Sequence, residues 1–286
     1  MKLTGFTDEA SSDIDIQIKA TKELGWSFLS ARTIGSHNIH DISESDFDSA
    51  VQKLKDAEIQ VAEFGTLIGN WSKSIHSDWN LTFGEVESSI ERMKVLDVKY
   101  ARIMSYAQEP WGEDQLVNKR IKRLRRITDM FRSEGLEAVH ENCMNYGGFS
   151  PEHTLQLLNE VPDLKLVFDT GNPVFQRDRS KDEPYPWQNA LEFYKQVKDA
   201  IVHVHVKDAK YPKNGEEPVY TFPGEGDGFV KEILSDLKSN NYDGFIAIEP
   251  HMGKVFHEDS SDNNVEKQYE VYVEFGKRMQ DLIATL

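Results

Sequence analysis

The chain has 286 residues, 38% of them hydrophobic and 29% charged, which is typical of a globular protein. Its 33 Lys and Arg residues against 49 Asp and Glu residues give a net charge of −16, which disfavours nucleic acids and anionic membranes as partners. The single cysteine, Cys143, excludes an intramolecular disulfide, and no apolar run approaches the roughly 20 residues of a membrane span, so a soluble cytoplasmic protein is expected.

Short apolar runs rich in β-branched and aromatic residues predict eight β-strands. In chain order they are Lys2–Phe6, Ser27–Arg32, Gln60–Phe64, Tyr100–Met104, Glu137–Glu141, Lys165–Asp169, Ile201–Val206 and Phe245–Glu249. The stretches between them carry apolar residues at three- and four-residue spacing, as in Ile14 and Ile18, and predict helices. Alternating strands and helices predict a parallel sheet, and eight units over this length favour a single (β/α)8 TIM barrel spanning residues 1–286.

Four consecutive predicted strands end in residue types that bind metals, at the edge where a barrel of this kind builds its active site. These residues are Glu141, Asp169, His205 and Glu249. The spacings of 28, 36 and 44 residues each leave room for a helix and a return to the next strand, so the side chains are expected to converge. Three carboxylates and one imidazole indicate Mn²⁺, Mg²⁺ or Co²⁺ rather than an ion that prefers thiolates.

The seventh strand offers two histidines on one face, because strand side chains alternate. Either His203 or His205 could be the ligand, and His205 is preferred because it lies nearer the rim. His203, one layer down, is expected to be a hydrogen-bonded core residue. His140 is expected to face away from Glu141 and from the metal.

Seven segments carry a resemblance to a known family. They are Thr7-Asp8-Glu9, Lys22-Glu23-Leu24-Gly25, His140-Glu141-Asn142, Phe168-Asp169-Thr170-Gly171-Asn172, His203-Val204-His205-Val206-Lys207-Asp208, Pro223-Gly224-Glu225-Gly226 and Ile248-Glu249-Pro250. Together they resemble the sugar phosphate isomerase/epimerase family, the xylose-isomerase-like barrels. That family includes ketose 3-epimerases, hydroxypyruvate isomerase, inosose dehydratase and, more distantly, the AP endonucleases.

The resemblance implies a divalent-metal-dependent isomerase or epimerase that acts through an enediolate on a ketose, an aldose or a keto-sugar derivative. It implies that Glu141, Asp169, His205 and Glu249 bind the metal, with Mn²⁺ the first choice. Glu141 and Glu249 are also expected to transfer the proton. Two departures bear on the substrate: Ser30 lies in the strand-two end where many relatives carry a glutamate before the arginine, and Asn172 stands where ketose 3-epimerases have a histidine.

Further polar residues near the strand ends are expected to bind hydroxyl groups or an anion of the substrate. They are Glu9, Arg32, Glu63, Arg102, Asn172, Lys207 and Glu225. The alternative for these residues is pairing between loops and helices.

Three rival functions remain at this point. The first is a metal-dependent dehydratase of a keto-inositol, which shares the first proton abstraction. The second is a phosphodiesterase like the AP endonucleases, which the negative net charge and the absence of histidines at strands three and four oppose. The third is a sugar-binding protein without catalysis. The expected partner is a small-molecule sugar, and the outer helices of a barrel would permit a homo-oligomer.

Overall fold

Eight parallel strands form the centre of the structure, a computed structural model that describes residues 1–213, 219–252 and 265–286. We label them in chain order β1 (Lys2–Gly5), β2 (Phe28–Ala31), β3 (Gln60–Gly65), β4 (Tyr100–Ile103), β5 (Glu137–Glu141), β6 (Lys165–Asp169), β7 (Ile201–Val206) and β8 (Phe245–Ile248). All eight predicted strands are confirmed, with ends that agree to within one or two residues.

The strands follow one another around a barrel. The hydrogen-bonded order runs β1-β8-β7-β6-β5-β4-β3-β2, and every pairing is parallel. A parallel bridge between Phe6 and Ser30 brings β1 back to β2 and closes the ring. The predicted TIM barrel is therefore confirmed, and all the carboxyl ends of the strands meet at one face.

Eight α-helices lie between the strands in the described part of the chain. They are α1 (Ile14–Glu23), α2 (Glu44–Asp56), α3 (Trp79–Leu96), α4 (Val117–Ser133), α5 (Pro151–Glu160), α6 (Ala190–Val197), α7 (Val230–Ser239) and α8 (Val265–Ala284). Several begin with a side-chain cap, such as Asp13 before α1 and Ser150 before α5, which satisfies backbone N–H groups of the first turn. Among the described helices, none has the length and apolar character that a membrane span requires.

The hydrophobic core lies between the strands and the helices rather than inside the barrel. On β7, Val204 and Val206 pack outward against helices, whereas His203 and His205 face inward, as their shared face predicts. Polar contacts fill the interior: the hydroxyl groups of Thr4 and Ser30 lie 3.4 Å apart. The barrel interior therefore offers a polar, buried floor beneath the face where the strands end.

Two short hairpins extend the loops at this face. Thr33–Ile34 pairs with His37–Asn38 after β2, and Asp208–Lys210 pairs with Val219–Thr221 after β7. Short 3-10 segments follow β5 at Tyr146–Phe149 and β6 at Asn172–Phe175. None of these elements was predicted from the sequence, because two- to four-residue segments carry no measurable periodicity.

Gly5 on β1 is a point of close packing that can be tested. A Cβ atom there would lie 2.3 Å from Tyr272 Oη and 2.5 Å from Ile248 Cγ1, so Gly5→Ala must displace these two buried side chains of α8 and β8. We expect the substitution to lower the free energy of unfolding by about 1–3 kcal/mol. At the exposed position Gly84 in α3, an added Cβ atom meets nothing within 4 Å. Gly84→Ala should therefore raise the free energy of unfolding by about 0.5–1 kcal/mol. Urea denaturation of both variants measures the two shifts, and equal signs would contradict this packing.

Candidate metal centre and active site

Four side chains at the ends of β5, β6, β7 and β8 converge as the sequence predicts. Each of Glu141, Asp169, His205 and Glu249 offers a ligand atom, and these atoms all lie within 4.8 Å of one another. All four residues are buried, with relative exposures of 0 to 3%. We call these four residues the ligand group.

Backbone and side-chain contacts aim the Asp169 carboxylate at the group. Asn142 at the end of β5 accepts the Asp169 N–H at 2.7 Å and donates to the Asp169 carbonyl at 3.0 Å, which ties β5 to β6. Oδ1 of Asp169 accepts the N–H groups of Gly171 at 2.8 Å and Asn172 at 2.7 Å. Oδ2 is thereby left facing the other ligands.

Three ligand atoms of the group are buried and, within the described residues, have no hydrogen-bond partner. They are Oδ2 of Asp169, Oε2 of Glu141 and Nδ1 of His205. Lys207 Nζ lies 3.1 Å from that Asp169 oxygen and Arg102 lies 3.3 Å from the Glu141 oxygen, but neither contact has hydrogen-bond geometry. Buried polar atoms are normally satisfied, so the donor set fits a hard divalent cation.

The pKa values of two residues in the ligand group also favour a bound cation. Burial, opposed by Lys207, raises the pKa of Asp169 to about 7, and the nearby carboxylates of Glu249 and Glu141 add to the rise. Burial alone would lower the pKa of His205, but Glu63 and Glu141 outweigh it and raise this pKa to about 10. Protons on these two residues thus offset the charge of three close carboxylates, a task that a bound cation would take over.

Glu249 is held by cations on two sides. Arg32 donates to Oε1 of Glu249 at 2.6 Å, and Lys207 donates to Oε2 at 3.3 Å. Arg32 also contacts Asp8 at 2.9 Å and Glu9 at 3.1 Å. Burial would raise the pKa of Glu249, but Lys207 and the other nearby cations outweigh it and hold the pKa well below its usual range. Glu249 is therefore an ionised carboxylate in a buried site.

Glu141 has a matching environment on the other side of the group. Asn172 donates to Oε1 of Glu141 at 3.1 Å, and Arg102 approaches Oε2. Burial opposes ionisation, but Arg102 and His205 outweigh it and lower the pKa of Glu141. The ring of Phe6 lies beneath both guanidinium groups, 4.6 Å from that of Arg32 and 5.5 Å from that of Arg102. Both glutamates are thus ionised in a buried site.

The structure places the predicted substrate-binding residues in three different settings. Five of them lie at or next to the ligand group: Glu9, Arg32, Arg102, Asn172 and Lys207. Glu63 is instead 0% exposed and lies below the group, contacting His203 and His205. Glu225 lies outside the group, with its side chain 55% exposed and paired with Arg278 of α8 at 2.8 Å.

The positions of the other histidines agree with the sequence analysis. His203 lies one layer below His205 and, among the described residues, belongs to no group with Asp169. His140 faces out of the barrel towards Ser105, whose hydroxyl is 3.1 Å away. Burial lowers the pKa of His140 to about 4, so it is neutral near pH 7.

Sequence reasoning missed His251, which lies beside the site. Its Nδ1 is 2.8 Å from Glu9 Oε1, and its backbone N–H donates to Glu9 Oε2 at 2.7 Å. The ring of Tyr220, from the hairpin after β7, lies 5.4 Å from it. Its position two residues beyond Glu249 was an available signal, but its contact with Glu9 joins the segments after β8 and β1, which are 242 residues apart.

Comparisons with known proteins agree on the fold. A family model described as xylose isomerase-like TIM barrel matches residues 18–275. A crystal structure of IolI protein with a binding zinc atom superposes over 100% of this chain and 99% of its own, with a TM-score of 0.74 at 17% identity. A D-tagatose 3-epimerase-like protein gives a TM-score of 0.72 at 18% identity, over 100% of this chain and 98% of its own.

Among curated proteins, inosose dehydratase from Lacticaseibacillus casei is 28% identical over 141 residues. That match covers 44% of this chain and 44% of the relative. The chain therefore matches less than half the length of this relative.

Proposed function

The chain belongs to the xylose isomerase-like TIM barrel family, and on that premise we propose that it is a divalent-metal-dependent sugar isomerase or epimerase. Its substrate is a ketose, an aldose or a keto-sugar derivative, and the reaction passes through an enediolate. The observation that carries this proposal is the ligand group itself, in which Glu141 and Glu249 are buried, ionised carboxylates beside Asp169 and His205.

In this proposal the two glutamates move the proton. When bound, a divalent cation acts as a Lewis acid on the substrate carbonyl and the neighbouring hydroxyl, which acidifies the adjacent C–H. Glu249, kept ionised by Lys207 and Arg32, removes that proton from one face. As the enediolate forms, Glu141 takes the proton of the neighbouring substrate hydroxyl. Return of that proton to the opposite face of the same carbon gives an epimer, and its return at the neighbouring carbon gives an aldose–ketose isomer. Glu249 gives its proton back to the substrate oxygen, so both glutamates end the reaction ionised.

The residues around the group give the proposal its substrate contacts. We assign hydroxyl or carbonyl recognition to Glu9, Arg32, Arg102, Asn172 and Lys207, since all five are buried beside the ligand group. Mn²⁺ is the proposed ion, with Mg²⁺ and Co²⁺ as alternatives, because three carboxylates and one imidazole form a hard donor set. Since the structurally similar IolI protein was crystallised with a zinc atom, Zn²⁺ is a fourth ion to test.

A dehydratase is the second candidate. Inosose dehydratase is the name of the curated relative described above, and elimination of water begins with the same proton abstraction. In that reaction the enolate expels the hydroxyl group of the next carbon. The proton that Glu249 removed is passed to this group, directly or through Glu141, and the two leave together as water. The two candidates therefore share their residues and differ in their product.

Deuterium incorporation from heavy water tests the proposal on a panel of ketoses, aldoses, keto-glycosides and inososes. We expect at least one substrate to gain deuterium at the carbon next to its carbonyl, with Mn²⁺ supporting the fastest exchange. Treatment with a chelator should abolish the exchange and lower the melting temperature, because an ion that binds only the folded state stabilises it. Loss of one water in the product mass identifies a dehydratase. Purified protein without a stoichiometric ion, unaffected by the chelator, would overturn the proposal.

A further inference from the structure

A second buried polar group lies directly beneath the ligand group and shares one residue with it. Glu63 on β3 and His203 on β7 contact each other at 2.8 Å, between Oε1 and Nε2. Nε2 of His205 lies 3.1 Å from both carboxylate oxygens of Glu63. All three side chains are 0% exposed.

Glu63 has no route to a substrate in this position. Ser30 donates to its Oε1 at 2.9 Å, so both oxygens are engaged by neighbours inside the barrel. Nε2 of His205 lies at the same distance, 3.1 Å, from both oxygens of Glu63. The oxygens of a carboxylate accept hydrogen bonds, so the nitrogen of His205 that faces them carries the hydrogen.

The hydrogen on Nε2 determines the state of the other ring nitrogen of His205, Nδ1. A bound cation takes the place of the second proton of His205, so the ring keeps its hydrogen on Nε2 and Nδ1 presents a lone pair. Nδ1 lies 3.6 Å from Glu141 Oε1 and 3.8 Å from Glu249 Oε2, so it points into the ligand group. The ring of Phe6 packs edge-on against His205, with centroids 4.8 Å apart at 80°, and holds the plane of the imidazole.

We propose that Glu63 is a positioning residue that fixes the tautomer and orientation of His205 so that Nδ1 serves as the metal ligand. The inference rests on the proposed metal site. A carboxylate behind a ligating histidine also increases the electron density of the ring, and removal of such a partner costs about 10- to 100-fold in metal affinity. Glu63 therefore acts on the cation through His205 and not on the substrate.

The test is the affinity of the full chain for Mn²⁺, measured by electron paramagnetic resonance of the free ion. We expect Glu63→Gln to weaken binding by about 10- to 100-fold, because the uncharged amide can no longer accept at both oxygens. Thr4→Val is the matched control: Thr4 is 0% exposed in the same interior and its hydroxyl contacts Ser30. Val has nearly the same shape, and this variant should bind Mn²⁺ as the wild type does.

A second readout needs no variant at the site. In wild-type protein with ¹⁵N-labelled histidine rings and Zn²⁺ bound, His205 should show a hydrogen on Nε2 that exchanges slowly, and metal-induced shifts at Nδ1. A hydrogen on Nδ1, or equal affinity of Glu63→Gln and wild type, would overturn this inference alone. Two ions bound per chain, one of which is lost in Glu63→Gln, would also overturn it, since Glu63 would then be a ligand. If the wild type binds no ion, the proposed metal site fails and this inference fails with it.

Discussion

Replacement of either Glu141 or Glu249 by Gln is expected to reduce turnover by at least about 10²- to 10⁴-fold. In the proposed mechanism each substitution removes a group that transfers a proton, and proton transfer by a side chain contributes a factor of that size in enzymes. Each substitution would also weaken a ligand of the proposed metal ion. Gln has nearly the same shape as Glu and can still accept from Arg32 or Asn172, so the fold should be retained. Steady-state kinetics with saturating Mn²⁺ measures the loss of turnover, and circular dichroism confirms the fold.

Deuterium exchange separates the two roles. If Glu249 is the base, Glu249→Gln should abolish exchange at the substrate carbon, whereas Glu141→Gln should retain some exchange without net product. Glu137→Gln is the control on the same strand as Glu141, at its other end, where Glu137 pairs with Lys99 at 2.9 Å. We expect that variant to have wild-type turnover. Wild-type turnover of Glu249→Gln at saturating metal would reject Glu249 as the base.

The ligand group could be predicted from the sequence because its information is local. Asp169 and Glu249 directly follow apolar runs, Glu141 follows Ala138, Val139 and His140, and the topology of a barrel brings the ends of successive strands together. The two-residue alternation on β7 likewise separates His203 from His205 in depth. No knowledge of long-range contacts was needed for these residues.

Glu63 and Glu225 show where local information is insufficient. Glu63 precedes the end of β3 by two residues, and the pairing of Ser30 with Glu63 follows an irregularity in register at Leu29. A one-residue change of register decides whether a side chain lies at the rim or below it, and a sequence pattern does not encode that shift. Glu225 pairs with Arg278, 53 residues away, through a loop whose path depends on contacts formed after folding.

Asp208 organises that loop, and its removal is expected to have the largest effect on stability. Its Oδ1 accepts the N–H groups of Ala209 and Gly228, both at 3.0 Å, and its Oδ2 accepts those of Gly224 and Gly226, both at 2.9 Å. Three of these four charge-assisted hydrogen bonds join Asp208, just past the end of β7, to the segment before α7. At Gly226 a Cβ atom would lie 2.0 Å from Oδ1, so the approach of the backbone requires glycine.

We expect Asp208→Ala to lower the free energy of unfolding by at least about 3 kcal/mol, because it leaves these N–H groups without their acceptor. Glu225→Ala removes an exposed ion pair from the same loop and should cost at most about 1 kcal/mol. Chemical denaturation measures both values, and a loss below about 1 kcal/mol for Asp208→Ala would contradict this role. Lys207 directly precedes Asp208, and its ammonium group contacts both Asp169 and Glu249. The loop that Asp208 organises therefore also positions this ammonium group beside the ligand group.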